Sequence, residues 1–387
     1  EDPVHEQDPE DWWRALLEAL GELSGCLEEE RVAALAVDST SGSLVVADAE
    51  GRALRPALMY DDRRSRDGAQ AVAGAAPAES GAHGATSALA KLVHLANRGE
   101  LAGAAYALSA ADWLAGRLTG RLGVSDENNA LKLGYDPVGR AWPDWVGGLV
   151  PRELLPEVVA PGTRLGPVAD PWREAAGLPE GVIVRAGTTD SIAGFLATGA
   201  EGPGEAVTSL GSTLALKVVS RQPVFAPEYG VYSHRLGELW LAGGASNSGG
   251  AVLLQHFSSQ ELEALTARLE PERPTGLDYL PLPAPGERFP DCDPDLAPRL
   301  EPRPADPGRF LQGMLEGIAA IEARGYRRLA ELGAPYPVSV RTVGGGAANP
   351  AWTAIRKRLL AVPMPEPRYR EAACGTARLA MGEFAGG

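Results

Sequence analysis

Residues 181–200 read GVIVRAGTTDSIAGFLATGA. The GVIV run has the β-branched content of a buried strand, AGTT is a small-residue turn, and SIAGFLATGA has the length of a short apolar helix. A single acid, Asp190, falls where strand gives way to helix. As the first residue of a helix it reads as an N-cap. As a carboxylate at a strand end, after Thr188 and Thr189, it also reads as the acceptor of a proton from a bound hydroxyl, and the two roles are compatible.

The same grammar recurs outward from that stretch. GEAVTSLGSTLALKVVS (204–220) is strand, Gly-Ser-Thr turn, strand, and ELWLAGGASNSGGAVLLQHF (238–257) is strand, Gly-rich loop, helix. VSVRTVGGGAANPAWTAIRKRLL (338–360) is strand, triple glycine, helix, and RVAALAVDSTSGSLVVADAEGRALRPALMYDD (31–62) is three strands joined by turns. Helical patterns fall at about 87–98 and 109–118, and a first helix starts after Asp8 and Pro9, with Trp13, Leu16, Leu17, Leu20 and Leu23 on one face. A long amphipathic helix carries Leu311, Met314, Leu315, Ile318, Leu329 and Leu332. The Pro-rich stretch from about 136 to 180 is expected as a connection between lobes, and 270–308 as an insertion. Strand ends marked by hydroxyl and glycine turns predict two related α/β lobes with the turns lining a cleft.

Composition narrows the function classes. The 387 residues suffice for two domains, and a net charge of −15 lacks the basic stripe of a nucleic-acid or anionic-membrane surface. No apolar run approaches the roughly 20 residues of a membrane-spanning helix, and no signal-peptide pattern appears. Three scattered cysteines, Cys26, Cys292 and Cys374, suit a reducing compartment, and the five histidines form no zinc-type cluster.

Taken singly, the motifs have plain alternatives. Gly211, Ser212 and Thr213 make either a phosphate-binding turn or a simple hairpin. Gly344, Gly345 and Gly346 make either a nucleotide loop or a structural turn, and neither G-x-G-x-x-G nor a P-loop is present. Ser41 and Asp38 contact a polyol or form an Asx or Ser/Thr turn. Asp62 and Arg64 make either a substrate-side pair or a solvated surface run, and for a charge run the surface is the usual answer.

Taken together, their order resembles the FGGY carbohydrate kinases of the actin–hexokinase superfamily. VDSTSGSLVVADAEGRALRPALMYDDRRS is similar to that family's strands and W-x-D-x-R stretch, with Tyr60 where Trp is usual. AGTTDSIAGFLATGA looks like its catalytic-Asp segment, SLGST like its second phosphate motif and GGGAANPAW like its adenosine motif. Within the family, GVSDENNALKLGYDP, TSLGST, GGASNSGG and EAACGTARLA resemble the plant and cyanobacterial D-ribulose kinase group, once described as xylulose-kinase-like.

The resemblance implies two ribonuclease H-like lobes around a central cleft, residues 1–180 on the sugar side and 181–387 carrying the catalytic Asp with the phosphate and adenosine motifs. It implies ATP-dependent phosphorylation of a ketopentose, D-ribulose first and D-xylulose or another polyol as the alternative, with sugar and ATP as partners in the cytoplasm or, in a plant, a chloroplast-like compartment. Asp190 would be the base and would touch Mg²⁺ directly or through water. Ser41, Asp38 and Asp190 would meet the sugar. Gly211, Ser212 and Thr213 would hold phosphate, and Gly345, Gly346, Asn349 and Trp352 would receive the adenosine. Family members open with a strand and hairpin carrying D-x-G-T-S, which holds metal and phosphate. The present chain starts at Glu1, at the following helix, and DSTSGS takes the place of the sugar-side strand. The resemblance therefore implies an open sheet edge and, from these residues alone, weak ATP binding and little turnover, or a catalytically impaired binding protein.

Overall fold

A computed structural model describes residues 3–26 and 32–383. Contacts divide the chain into two compact units, Glu1–Ala197 with Glu371–Gly387, and Thr198–Arg370.

In the first unit β1 (Glu6–Gln7) and α1 (Pro9–Cys26) precede β2 (Ala34–Ser39), β3 (Val45–Ala47) and β4 (Ala57–Leu58). Next come α2 (Arg66–Ala75), α3 (Ala88–Asn97), β5 (Tyr106–Leu108), α4 (Ala110–Thr119), β6 (Val124–Asp126) and α5 (Glu127–Ala130). Then follow α6 (Asp144–Gly147), β7 (Glu157–Val159), β8 (Arg164–Pro167), α7 (Asp170–Ala175), β9 (Ile183–Thr189) and α8 (Asp190–Ala197). The helix starts follow their caps: Ser109 and Asp112 close a reciprocal capping box on α4, and Ser87 accepts from the Ala90 N–H on α3.

The stretch 136–180 is not a connector. Val146, Val150 and Leu154 enter one apolar core and Val168, Ala176 and Leu178 another, while β7 pairs with β6 and β8 with β9. Each short element carries one or two apolar residues, enough to anchor it although no long periodic pattern marks it. The contacts also move the boundary from 180/181 to 197/198, because β9 pairs in parallel with β2 and takes α8 and Asp190 with it. β2 lies at the edge of the β2-β9-β8 sheet, and all six of its residues are partly exposed.

The second unit is built on β10 (Glu205–Leu210), β11 (Leu214–Ser220), β12 (Tyr232–Leu236), β13 (Leu239–Ser246) and β14 (Ser339–Val343). Its sheet order is β12-β13-β11-β10-β14, antiparallel apart from the parallel β10–β14 pair. The helices are α9 (Gly250–Leu254), α10 (Ser259–Thr266), α11 (Pro307–Glu331) and α12 (Pro350–Leu360). The core centres on α11, whose Phe310, Leu311, Met314, Leu315, Ile318 and Leu329 are buried. The Pro-rich insertion packs onto this core through Tyr279, Leu280, Leu282 and Phe289. Gly317 gives it room, since a Cβ there would lie 2.7 Å from Pro281 Cδ.

The last helix, α13 (Ala372–Ala380), returns to the first unit and lies against α8. Backbone meets backbone there: a Cβ on Gly375 would stand 1.9 Å from the Ala193 carbonyl oxygen.

Candidate active site

The first unit assembles its polar groups at the C-terminal ends of β2 and β9, where open α/β sheets bind ligands. Asp38 is in register with Thr188 and Ser39 with Thr189, so Asp190 follows directly from the β9 end. The register slips between Ala36 and Asp38, and there the strands approach so closely that a Cβ on Gly187 would lie 1.7 Å from the Val37 carbonyl oxygen. Close backbone approach is thus one cause of the glycines here: Gly187 admits β2, and Gly375 of α13 admits the Ala193 carbonyl of α8. Asp190 itself is exposed, and its Oδ1 accepts from the Ser191 N–H at 2.6 Å. Ser41 lies half-buried in the turn after β2, beside Gly42 at φ +87°. Asp38 is drawn the other way. Its Oδ1 accepts from the Thr376 hydroxyl at 2.6 Å, and it lines a depression of about 720 Å³ between β2 and α13 that includes neither Ser41 nor Asp190.

Buried polar groups hold this region. The Lys91 ammonium, fully buried, donates to the carbonyls of Gly42 (2.7 Å), Met59 (2.6 Å) and Thr86 (2.9 Å), and so fixes the turn that carries Ser41. Burial lowers its pKa to about 8. Asp62 and Arg64 are a fork and not a surface run: Asp62 is fully buried and takes the Arg64 guanidinium through Nε and Nη2. Burial pushes the Asp62 carboxyl up, but Arg64 and two backbone N–H groups outweigh it and hold the group below the usual range. The run of four charges in DDRRS concealed this, because charge runs are usually solvated.

SDENN forms a second buried cluster. Asp112 accepts from the Ser125 hydroxyl at 2.8 Å, and Asp126 accepts from the backbone of Asn128 and Asn129. Asn128 Nδ2 donates to the Thr188 hydroxyl at 3.1 Å, two residues before Asp190. Burial raises Asp112 to about 6; burial, then the nearby Asp112 charge, raises Asp126 to about 7. Reading the motifs alone missed Lys91 and Asn128. The signal for Lys91 was available, a lone Lys within the apolar run ALAKLVHLA.

In the second unit, Gly211, Ser212 and Thr213 join β10 to β11. The carbonyls of Gly211 and Ser212 accept from the Gly250 and Ala251 N–H groups at the start of α9, while the Ser212 and Thr213 side chains are exposed. Gly249, at φ +152°, makes this possible, since a Cβ there would lie 2.6 Å from the Ser212 carbonyl oxygen. After β14 the backbone turns at Gly344 (φ +85°), and Asn349 caps α12, its Oδ1 accepting from the Trp352 N–H at 2.9 Å. Asn349 Nδ2 donates to the Thr266 hydroxyl at 3.0 Å, which leaves the second amide hydrogen for a ligand.

One cavity of about 760 Å³ collects Gly211, Ser212, Gly345, Gly346, Asn349 and Trp352; Thr213 is not in its wall. Its apolar faces come from Leu210, Leu253, Leu254, Leu262, Leu311 and Leu315, an apolar slot with few polar groups of the kind that takes a planar base. The α10 contribution had no sequence signal beyond amphipathicity.

For Mg²⁺ the donors suit a water-rich ion. Asp190 offers an exposed carboxylate, and no three His, Cys, Asp or Glu side chains among the described residues converge on one point. Phosphate oxygens and water would therefore supply most of its ligands.

Comparison with known proteins decides the family. The N-terminal domain of the FGGY family of carbohydrate kinases matches residues 1–197, and the C-terminal domain matches 206–382. The chain belongs to the FGGY family of carbohydrate kinases. It is accordingly a phosphotransferase, an ATP-dependent sugar kinase. The xylulose kinase of Streptomyces coelicolor is 30% identical over 98% of this chain and 80% of its own length. A solved "xyloylose kinase" from Brucella ovis superposes with a TM-score of 0.88 at 25% identity, over 100% of this chain and 84% of that one. Plasmodium falciparum glycerol kinase with ADP has a TM-score of 0.85 at 17% identity, covering 99% and 82%, a likeness of fold. The fold is the two-lobe actin/hexokinase-like one of these FGGY kinases.

Proposed function

We propose that this FGGY kinase transfers the γ-phosphoryl group of ATP to a hydroxyl of a ketopentose, D-ribulose giving D-ribulose 5-phosphate. The observation that carries the chemistry is the exposed Asp190 carboxylate at the β9 end, two residues after a Thr188 held by Asn128, at the same C-terminal end of the sheet as the Ser41 turn. In this reading Ser41 orients the sugar. Asp190 accepts the proton of the attacking hydroxyl, its oxygen bonds to the γ-phosphorus, the bond to the β-bridging oxygen breaks, and ADP leaves. Ser212 and Thr213 hydroxyls and the Gly211 turn hold phosphate; Gly345, Gly346, Asn349 and Trp352 enclose adenosine. Asp38 supports the strand end through Thr376 and is a weaker candidate for sugar contact. Mg²⁺, bound to the phosphates with Asp190 nearby, would supply charge neutralisation at the transferring group.

D-Ribulose rests on the subgroup motifs SDENNA, SLGST and GGASNSGG. The relatives named xylulose kinases favour D-xylulose as the second reading. A coupled ADP-release assay over D-ribulose, D-xylulose, L-ribulose, glycerol and gluconate separates them. The proposal expects the largest kcat/KM for D-ribulose; a larger value for D-xylulose selects the second reading, and turnover of only glycerol or gluconate refutes both.

A further inference from the structure

Arg356 and Glu322 are the charged pair most deeply buried in the second unit, both with no exposed surface. Arg356 of α12 meets Glu322 of α11 through Nε at 2.6 Å and Nη2 at 2.7 Å, a bidentate fork. Its remaining arm, Nη1, donates to the Thr342 hydroxyl of β14 at 2.7 Å. Glu322 also accepts from the Thr208 hydroxyl of β10 at 2.5 Å, and Thr208 contacts the Tyr326 hydroxyl at 2.8 Å. Thr208 and Thr342 are partners across the parallel β10–β14 ladder.

This network touches four elements, and each of the four carries a wall of the 760 Å³ cavity. β10 ends in Leu210 and runs into Gly211 and Ser212. β14 runs into Gly345 and Gly346. α12 presents Trp352 one helical turn before Arg356, and α11 presents Leu311 and Leu315. A buried ion pair is a poor way to gain stability, because an apolar pair of the same volume does as well or better. What a bidentate fork supplies is fixed relative geometry.

We infer that the Glu322–Arg356 pair is a positioning device for the nucleotide pocket, holding the phosphate turn and the adenosine loop in register. The inference rests on the reading of that cavity as the nucleotide site.

The test uses the full chain and Mg–ADP as probe. In Glu322→Leu/Arg356→Met both charges go and volume is roughly kept, and far-UV circular dichroism checks that the variant is folded; Arg356→Lys keeps a cation opposite Glu322 but not the fork. Calorimetry should give an Mg–ADP Kd raised about tenfold or more in the double variant and by a smaller factor in Arg356→Lys. The thermal shift produced by D-ribulose or D-xylulose should stay as in the parent. A Kd within twofold of the parent in a folded variant overturns the inference, as does an equal loss of both ligands, which marks general loosening. Gly345→Val checks the premise separately, since Gly345 lines the cavity and a Cβ there meets nothing within 4 Å in the protein. If Gly345→Val weakens Mg–ADP and the network variants do not, the positioning role fails and the site stands. If Gly345→Val changes nothing, the site reading fails and the inference falls with it.

Discussion

Replacing Asp126 by asparagine should make the enzyme more stable above neutral pH and change little at pH 4.5. The Asp126 carboxyl is raised to about 7 from an ordinary value of 3.8, by burial first and then by the Asp112 charge. A raised carboxyl means that the folded state keeps its proton while the unfolded chain gives it up. Stability is therefore full below about pH 4, falls as pH rises, and levels off above about 7. A shift of that size corresponds to at most ~4 kcal/mol, shared with Asp112 because the two carboxyls titrate as a pair. The introduced amide oxygen can keep the two backbone bonds from Asn128 and Asn129. The introduced NH₂ would face Asn129 after a flip that uses the Asn129 Oδ1, a buried acceptor with no partner now. Scanning calorimetry of parent and variant at pH 4.5 and 8 should give transitions only slightly apart at the lower pH, where about 1 kcal/mol of the effect is present. At the higher pH the variant's transition should come roughly 5–10 °C later. Curves that run parallel, or a variant less stable at pH 8, would show that the pair is ionised in the fold and compensated some other way.

Asp190→Asn keeps an acceptor for the Ser191 N–H, so its melting temperature should hold while kcat falls ~10²–10⁴-fold; near-normal turnover removes it from the mechanism. Gly346→Val is a different matter from Gly345→Val, because its Cβ would meet Trp352 Cζ3 at 2.7 Å and Leu210 Cβ at 2.8 Å. We expect Gly346→Val to lose both nucleotide affinity and melting temperature, against affinity alone for Gly345→Val. Gly187→Ala must force β9 from β2 at the Val37 carbonyl and should destabilise the first unit by about 3 kcal/mol or more, read from its urea midpoint.

The strand–turn–helix units around Asp190 and Gly345 and the hairpin around Ser212 are legible because small residues and hydroxyls interrupt apolar runs at a few sharp points. The helices α3 and α4 follow Ser87 and Ser109 as their caps predict. What sequence reading lost has a common cause, dependence on partners far along the chain. The place of β9 is set by pairing with β2, about 150 residues earlier in the chain, so local pattern put the boundary at 180. The Asp62–Arg64 fork looks like surface because no local rule counts the residues that cover it. Gly187 and Gly375 carry no local signal of what demands them, which is backbone approaching from β2 and α8.

The return of α13 to the first unit has a consequence for how the protein is made. Ribosomes release Thr198–Arg370 as one continuous segment, so the second unit can fold as soon as it emerges. The first unit, begun earlier, waits for Glu371 onward, about 9–35 s later at ~5–20 residues per second. During that interval α8 has no Gly375 to receive, and the face of Ala193 and Ala197 stays uncovered. Premature termination at Arg370 would remove α13 and leave the nascent chain with a finished second unit and an unfinished first. Quality control would meet a protein whose defect lies far upstream of the stop codon.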